Sequence, residues 1–140
     1  MSPTEMPMSH DAGKRATIER VLDAIAAGDW EAATADVAPD FVQEWPQSGE
    51  RISGRDHCLV VWRNYPGGMP SMSMRRIRGS GDFWVVESTI AYPASTSLVV
   101  SLMEFRDGKL ARQVDYFAEP FPAPAWRSQW VTVDPNMASG

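Results

Sequence analysis

The 140-residue chain has a single cysteine, Cys58, and only two histidines, His10 and His57. A lone thiol cannot close an intramolecular disulfide, and so small a Cys/His set offers no spaced ligands for zinc, so no metal site is expected. The expected setting is the reducing cytoplasm. No stretch approaches the roughly 20 apolar residues of a membrane-spanning helix, and the opening MSPTEMPMSHDAGKR lacks the apolar segment of a secretory signal. Basic residues are scarce too: 13 Lys and Arg stand against 18 Asp and Glu, a net charge of -5, which argues against a nucleic-acid surface. The densest basic run, Arg75, Arg76 and Arg78, reads as a solvated strand face. There is no G-x-S-x-G, no phosphate-binding glycine loop and no dinucleotide fingerprint; the GSGD cluster at residues 79–82 lies between strands and not before a helix. No cofactor is expected.

The length suits one domain that buries about two-thirds of its unfolded surface without a staple. Residues 1 to 12 read as a disordered lead-in, 13 to 120 as the domain, and 121 to 140 as a Pro-rich tail. Within the domain Ile18, Val21, Leu22 and Ile25 recur at i, i+3, i+4, i+7 and predict a helix over 14–27, ended by Gly28. Asp29 caps a second helix, 30–37, that Pro39 stops. Residues 41–45, FVQEW, form a strand with Phe41, Gln43 and Trp45 on one side. A turn and short strand follow, then a third helix carrying Cys58, Val61, Trp62 and Tyr65, with Asp56 as its cap. Four long strands, 72–78, 82–92, 97–106 and 109–118, complete an α+β domain with helices on one side of a curved, mainly antiparallel sheet. The tail residues Phe121, Trp126 and Trp130 are expected to pack on the body or on a second subunit.

Asp115 stands out because its neighbours Val114, Tyr116 and Phe117 are apolar or aromatic. Alternation keeps it on one side with Gln113 and Phe117. With Asp107 and Gly108 as the two turn residues, Val100 falls opposite Asp115, and Leu98, Leu102 and Glu104 share that face; a one-residue bulge would change the pairing. Two readings stay open: a rim carboxylate paired with Arg112, or a carboxylate inside an apolar cavity, with Glu87 as a second carboxyl, able to serve as acid or base. Tyr116 alternates away. His57 is expected to be exposed or a structural donor, and Cys58 a small core residue.

A helix ending in AAGDW, then APDFVQEWPQSGERISGRD, then SLMEFRDGKLARQVDYF resembles the nuclear transport factor two-like superfamily. Its cone-shaped α+β barrel is shared by ketosteroid isomerase, limonene epoxide hydrolase, scytalone dehydratase and SnoaL-like polyketide cyclases. The resemblance covers about residues 14 to 120 and specifies fold more than chemistry. Where ketosteroid isomerase carries its catalytic Asp, before the first-strand proline, stands Trp45; its helix-one Tyr corresponds to Val21. Steroid isomerisation by that mechanism is not expected. SnoaL-like cyclases carry an Asp a few residues after a G-K-I turn, and GKLARQVD puts Asp115 there. The resemblance implies that Asp115 is a general acid/base in an apolar pocket, without metal or cofactor, although the histidine that accompanies it is not clearly supplied.

The expected walls are Ile18, Val21, Ile25, Gln43, Trp45, Trp62, Val100 and Phe117, with Glu87 near Asp115. The expected ligand is a small apolar, oxygenated molecule, and the reaction an isomerase, cyclase or hydrolase step. The alternative is a non-catalytic binding or dimerisation module of the same fold. A cavity of several hundred Å3, the usual order for ligand sites, points to the first; a cone filled by its own aromatics points to the second. A homodimer is expected through an outer face of Val99, Met103, Phe105 and Tyr116.

Overall fold

The structure, a computed structural model, describes residues 5–139. Helix α1 runs Glu5–Ala27 and α2 Trp30–Ala35; strands β1 (Val37–Trp45) and β2 (Glu50–Ser53) precede α3 (Arg55–Arg63). Strands β3 (Ser71–Ser80), β4 (Phe83–Ala91), β5 (Thr96–Arg106) and β6 (Lys109–Ala118) follow, and a short 3-10 turn, Ala125–Arg127, and α4, Pro135–Ser139, lie in the tail. The six strands form one open sheet in the order β2-β1-β6-β5-β4-β3, with only β1 and β6 parallel. This is the α+β cone expected from the sequence.

The lead-in differs. Helix α1 begins at Glu5, so residues 5–12 are helical, while residues 1–4 lie outside the described residues. Pro7 is compatible with this because the first N–H groups of a helix have no intrahelical partner to lose. The predicted apolar stripe is the buried one: Ile18, Val21, Leu22 and Ile25 are each at most 8% exposed. Gly28, at φ +71°, ends α1; its N–H reaches the Ile25 carbonyl and that of Asp29 the Ala24 carbonyl. That pair of bonds needs a left-handed residue at Gly28. Asp29 then accepts from the Ala32 amide and caps α2 as expected.

Helix α2 stops at Ala35, and Val37 already belongs to β1. Pro39 sits where the β1–β6 pairing is interrupted between Val37 and Val42, so no ladder donor is missing there. Gly54, not Asp56, is the N-cap of α3, and Asp56 lies in its first turn, where a negative charge complements the helix end. Tyr65 falls beyond the helix.

The core joins the α1 stripe and α3 (Cys58, Trp62) to Phe41, Trp84, Val86, Met103, Phe105 and Leu110 of the sheet. Phe41 and Trp62 meet edge to face at 6.4 Å. The β5–β6 turn has positive φ at both Asp107 and Gly108, and Arg106 pairs with Lys109 as predicted. The next step breaks the predicted register: Phe105 pairs with Leu110 but Glu104 with Arg112, leaving Ala111 as an extra residue. This bulge places Ser101, not Val100, opposite Asp115.

The predicted faces of β5 are therefore exchanged relative to β6. Val99, Met103 and Phe105, expected on an outer dimer surface, are each at most 5% exposed, while Val100 is 38% and Tyr116 44% exposed. Phe121, Trp126 and Trp130 of the tail are at least 73% exposed, so they do not pack on the body of their own chain.

Candidate functional site

Asp115 lies on the inner side of β6 and is 4% exposed. Its carboxyl accepts four hydrogen bonds, all from uncharged groups. Oδ1 receives Ser101 Oγ at 2.6 Å and Gln113 Nε2 at 2.9 Å; Oδ2 receives Gln43 Nε2 at 2.8 Å and Trp45 Nε1 at 3.0 Å. The donors come from β5, β6 and β1. Trp62 Nε1 donates to Gln43 Oε1 at 2.9 Å, which orients that amide so that its nitrogen faces Asp115. A carboxylate offers about four lone-pair sites, and here protein donors occupy that number. Among the described residues no buried side-chain nitrogen or oxygen is left without a partner.

Arg112 is not the partner of Asp115. It forms ion pairs with Glu44 (2.7 Å) and Glu104 (3.6 Å). Burial alone would raise the Glu44 pKa, but Arg112 and Arg51 outweigh it and hold that carboxyl below its ordinary value. The rim reading is thereby overturned, and Asp115 faces the interior.

There it lines a partly open, predominantly apolar cavity of about 100 Å3, walled by α1, α3 and the inner sheet face. Gln43, Trp45, Trp62, Ile25 and Phe117 line it as predicted. Phe117 is held at the rim by Gln47, whose side chain donates to the Phe117 carbonyl and accepts from its amide, each at 2.6 Å. This extends the β1–β6 ladder by a side chain.

Four predicted residues are elsewhere. Val21 is 3% exposed in the core and does not line the cavity, and Ile18 shares that placement. Val100 stands on the outer face because of the Ala111 bulge. Glu87 pairs across the sheet with Val100 and forms an ion pair with Arg76 at 2.7 Å. Among the described residues no second carboxyl lines the cavity.

Sequence reasoning passed over Ser101, Tyr65 and Tyr92. Ser101 is the one hydroxyl in the run LVVSLM, and the two tyrosines each precede a proline, Pro66 and Pro93. Both tyrosines line the cavity, with their hydroxyl oxygens 3.4 Å apart. Burial first, then the Tyr65 hydroxyl, pushes the Tyr92 pKa up to about 12. Cys58 is fully buried and its thiol is pushed up to about 11 by burial, the opposite of an activated thiolate. His57 is exposed, with Nδ1 3.0 Å from the Ser53 carbonyl oxygen.

A model of the SnoaL-like domain matches residues 18–113. The chain belongs to the SnoaL-like family. Among solved structures it is similar to an NTF-2-like protein of unknown function from Burkholderia xenovorans LB400, at 39% identity and TM-score 0.80, covering 88% of this chain and 96% of that one. It is also similar to a candidate ketosteroid isomerase from Kribbella flavida DSM 17836, at 27% identity and TM-score 0.83, covering 89% and 92%. An LEH-like epoxide hydrolase from M. tuberculosis shares the fold at 23% identity and TM-score 0.66, covering 76% of this chain and 84% of that one. No curated protein matches the chain. Among the described residues of this SnoaL-like protein, no helix is long and apolar enough to cross a membrane.

Proposed function

We propose that this SnoaL-like protein binds a small apolar, oxygenated molecule in its cone and that Asp115 acts on it as general acid/base, in isomerase, cyclase or hydrolase chemistry that needs no cofactor. The supporting observation is the position of Asp115: a carboxyl buried in the wall of an apolar cavity, surrounded only by uncharged donors. In such a site fixed dipoles surround the carboxyl during a proton transfer. The volume of about 100 Å3 falls short of the several hundred Å3 expected of a ligand site and restricts the ligand to a ring-sized molecule.

The experiment is turnover of two probes, α-proton exchange of cyclohexanone in D2O and opening of cyclohexene oxide, by the wild type and Asp115→Asn. Loss of turnover with retained circular dichroism supports the reading. Turnover absent in the wild type, or undiminished in the variant, contradicts it.

One observation favours a second reading, a non-catalytic binding module. All four acceptor positions of Asp115 are occupied by the protein, so a substrate proton has to displace a donor. Ligand binding without turnover supports this alternative.

A homodimer in the cytoplasm completes the proposal. Its surface keeps Tyr116 and the tail residues Phe121, Trp126 and Trp130, to which the sequence also pointed, but has Val100 on the outer face where Val99, Met103 and Phe105 were expected. Apolar groups this exposed and this numerous mark association surfaces.

A further inference from the structure

We propose that Tyr65 and Tyr92 form a second recognition site in the cavity, a pair of phenols that together grip one acceptor oxygen, such as a ketone carbonyl, of a ring-sized ligand. This rests on the reading of the cavity as a ligand site and adds the feature by which the ligand is oriented. Its geometry is independent of the Asp115 network.

The two hydroxyl oxygens are 3.4 Å apart, and either can be the donor. A good O–H···O bond is about 2.7–2.8 Å long, so the phenols satisfy each other poorly. Two hydrogens are available and their mutual contact uses one. An acceptor oxygen seated between them can lie at normal distance from both and take both hydrogens. A carbonyl oxygen, with two lone pairs, matches that arrangement, whereas a hydrocarbon leaves the pair as it is. The cavity is otherwise largely apolar, so an oxygen placed away from the phenols or the Asp115 network would lose its hydrogen bonds to water without replacement.

The backbone at both residues is constrained. Tyr65 precedes Pro66 and Tyr92 precedes Pro93, and a residue before proline is restricted to extended geometry. Tyr92 is further held by a tight turn, its amide donating to the Ser95 carbonyl at 2.8 Å. A phenol is protonated, hence a donor, throughout the neutral range, and burial moves Tyr92 further in that direction. The volume of about 100 Å3 is of the order of a void that holds benzene, ~150 Å3 in an engineered case, which sets the ligand at about one ring.

The test is NMR of cyclohexanone labelled with carbon-13 at the carbonyl, titrated into the full chain, with methylenecyclohexane as the isosteric hydrocarbon. The wild type is expected to bind the ketone with a downfield carbonyl shift. Tyr65→Phe and Tyr92→Phe each weaken ketone binding roughly 3- to 10-fold, one neutral hydrogen bond's worth, and the double variant abolishes the shift. Hydrocarbon binding is unchanged in all three, which shows that the cavity is intact. An unaltered carbonyl shift in the double variant, or no ketone binding by the wild type at its solubility limit, overturns the proposal. Asp115→Asn keeps the shift. If that variant also keeps full α-proton exchange, the catalytic reading fails while the phenol pair stands; if exchange depends on Asp115 but the shift ignores the tyrosines, the reverse holds.

Discussion

Ser101 stands directly across the β5–β6 ladder from Asp115, and its hydroxyl donates to Asp115 Oδ1 at 2.6 Å. The pairing exists because Ala111 bulges out of β6, and it joins the buried carboxyl to the middle of the sheet. Ser101→Ala removes one of the four donors to a carboxyl that is 4% exposed. The expected cost is about 1.5–3 kcal/mol, as for a hydrogen bond to a charged group, read by denaturant unfolding. An unchanged midpoint contradicts the pairing.

Asp115→Asn should fold but with reduced stability. An amide has only one acceptor oxygen, so its NH2 must face either the Ser101 and Gln113 donors or the Gln43 and Trp45 donors. Unsatisfied buried donors cost about 1–3 kcal/mol. A melting temperature equal to the wild type would show that the network is looser than described.

Alkaline stability follows from two raised groups. The Cys58 thiol goes from 9.0 to about 11 and the Tyr92 phenol from 10.0 to about 12 on folding. Between those limits the unfolded chain has lost protons that the folded chain retains, so stability falls as pH rises. Below pH 9 both contributions are fully present. Unfolding free energy is expected to decline from about pH 9 to 12, and Cys58→Ala should flatten the first half of that decline. At the acid end Glu44 and Asp40, lowered by Arg112 and Arg106, act in the opposite sense: their stabilisation is present above their ordinary pKa values and is lost as pH falls through the lowered ones.

Gly79 pairs with Trp84 in the β3–β4 hairpin, and a Cβ there would lie 2.7 Å from the Trp84 Cα. The obstructing atoms include backbone, which cannot move aside cheaply. Gly79→Ala is expected to cost about 1–3 kcal/mol by overpacking, measurable as a lowered melting temperature, while Gly13→Ala, with nothing within 4 Å of the new Cβ, should not destabilise.

Sedimentation velocity of the full chain is expected to give a dimer. Tyr116→Glu and deletion of residues 121–140 should each shift it toward monomer, because Tyr116 is 44% exposed on the sheet and the tail aromatics are exposed more fully still. A wild-type monomer at micromolar concentration contradicts the proposed association.

Much of the fold was legible because its signals are local. The α1 stripe, the Gly28 corner, the Asp29 cap and the Asp107-Gly108 turn each depend on residues within one or two turns of chain. Alternation along β6 also put Asp115, Gln113 and Phe117 on one side, and Gln43 and Trp45 together on β1; the structure gathers all five around the cavity. Val100, Glu87 and Val21 were misplaced for a different reason. The choice of Val100 needed the register between β5 and β6, Glu87 the side of β4 that faces inward, and Val21 the rotation of α1 toward core or cavity.

By itself the sequence determined the element order, the α+β class and the company Asp115 keeps along its own strand, because helical and strand periodicity are short-range; the cone came from the resemblance of its segments to a known superfamily. Only the tertiary structure decided that Asp115 faces inward, that Ser101 replaces Val100 beside it, and that Tyr65 and Tyr92 meet. Those facts turn on one extra residue, Ala111, and on contacts between segments 27 and 72 positions apart. A single-residue slip inverts which side of a strand its neighbour faces, and it is settled by the packing of the whole core.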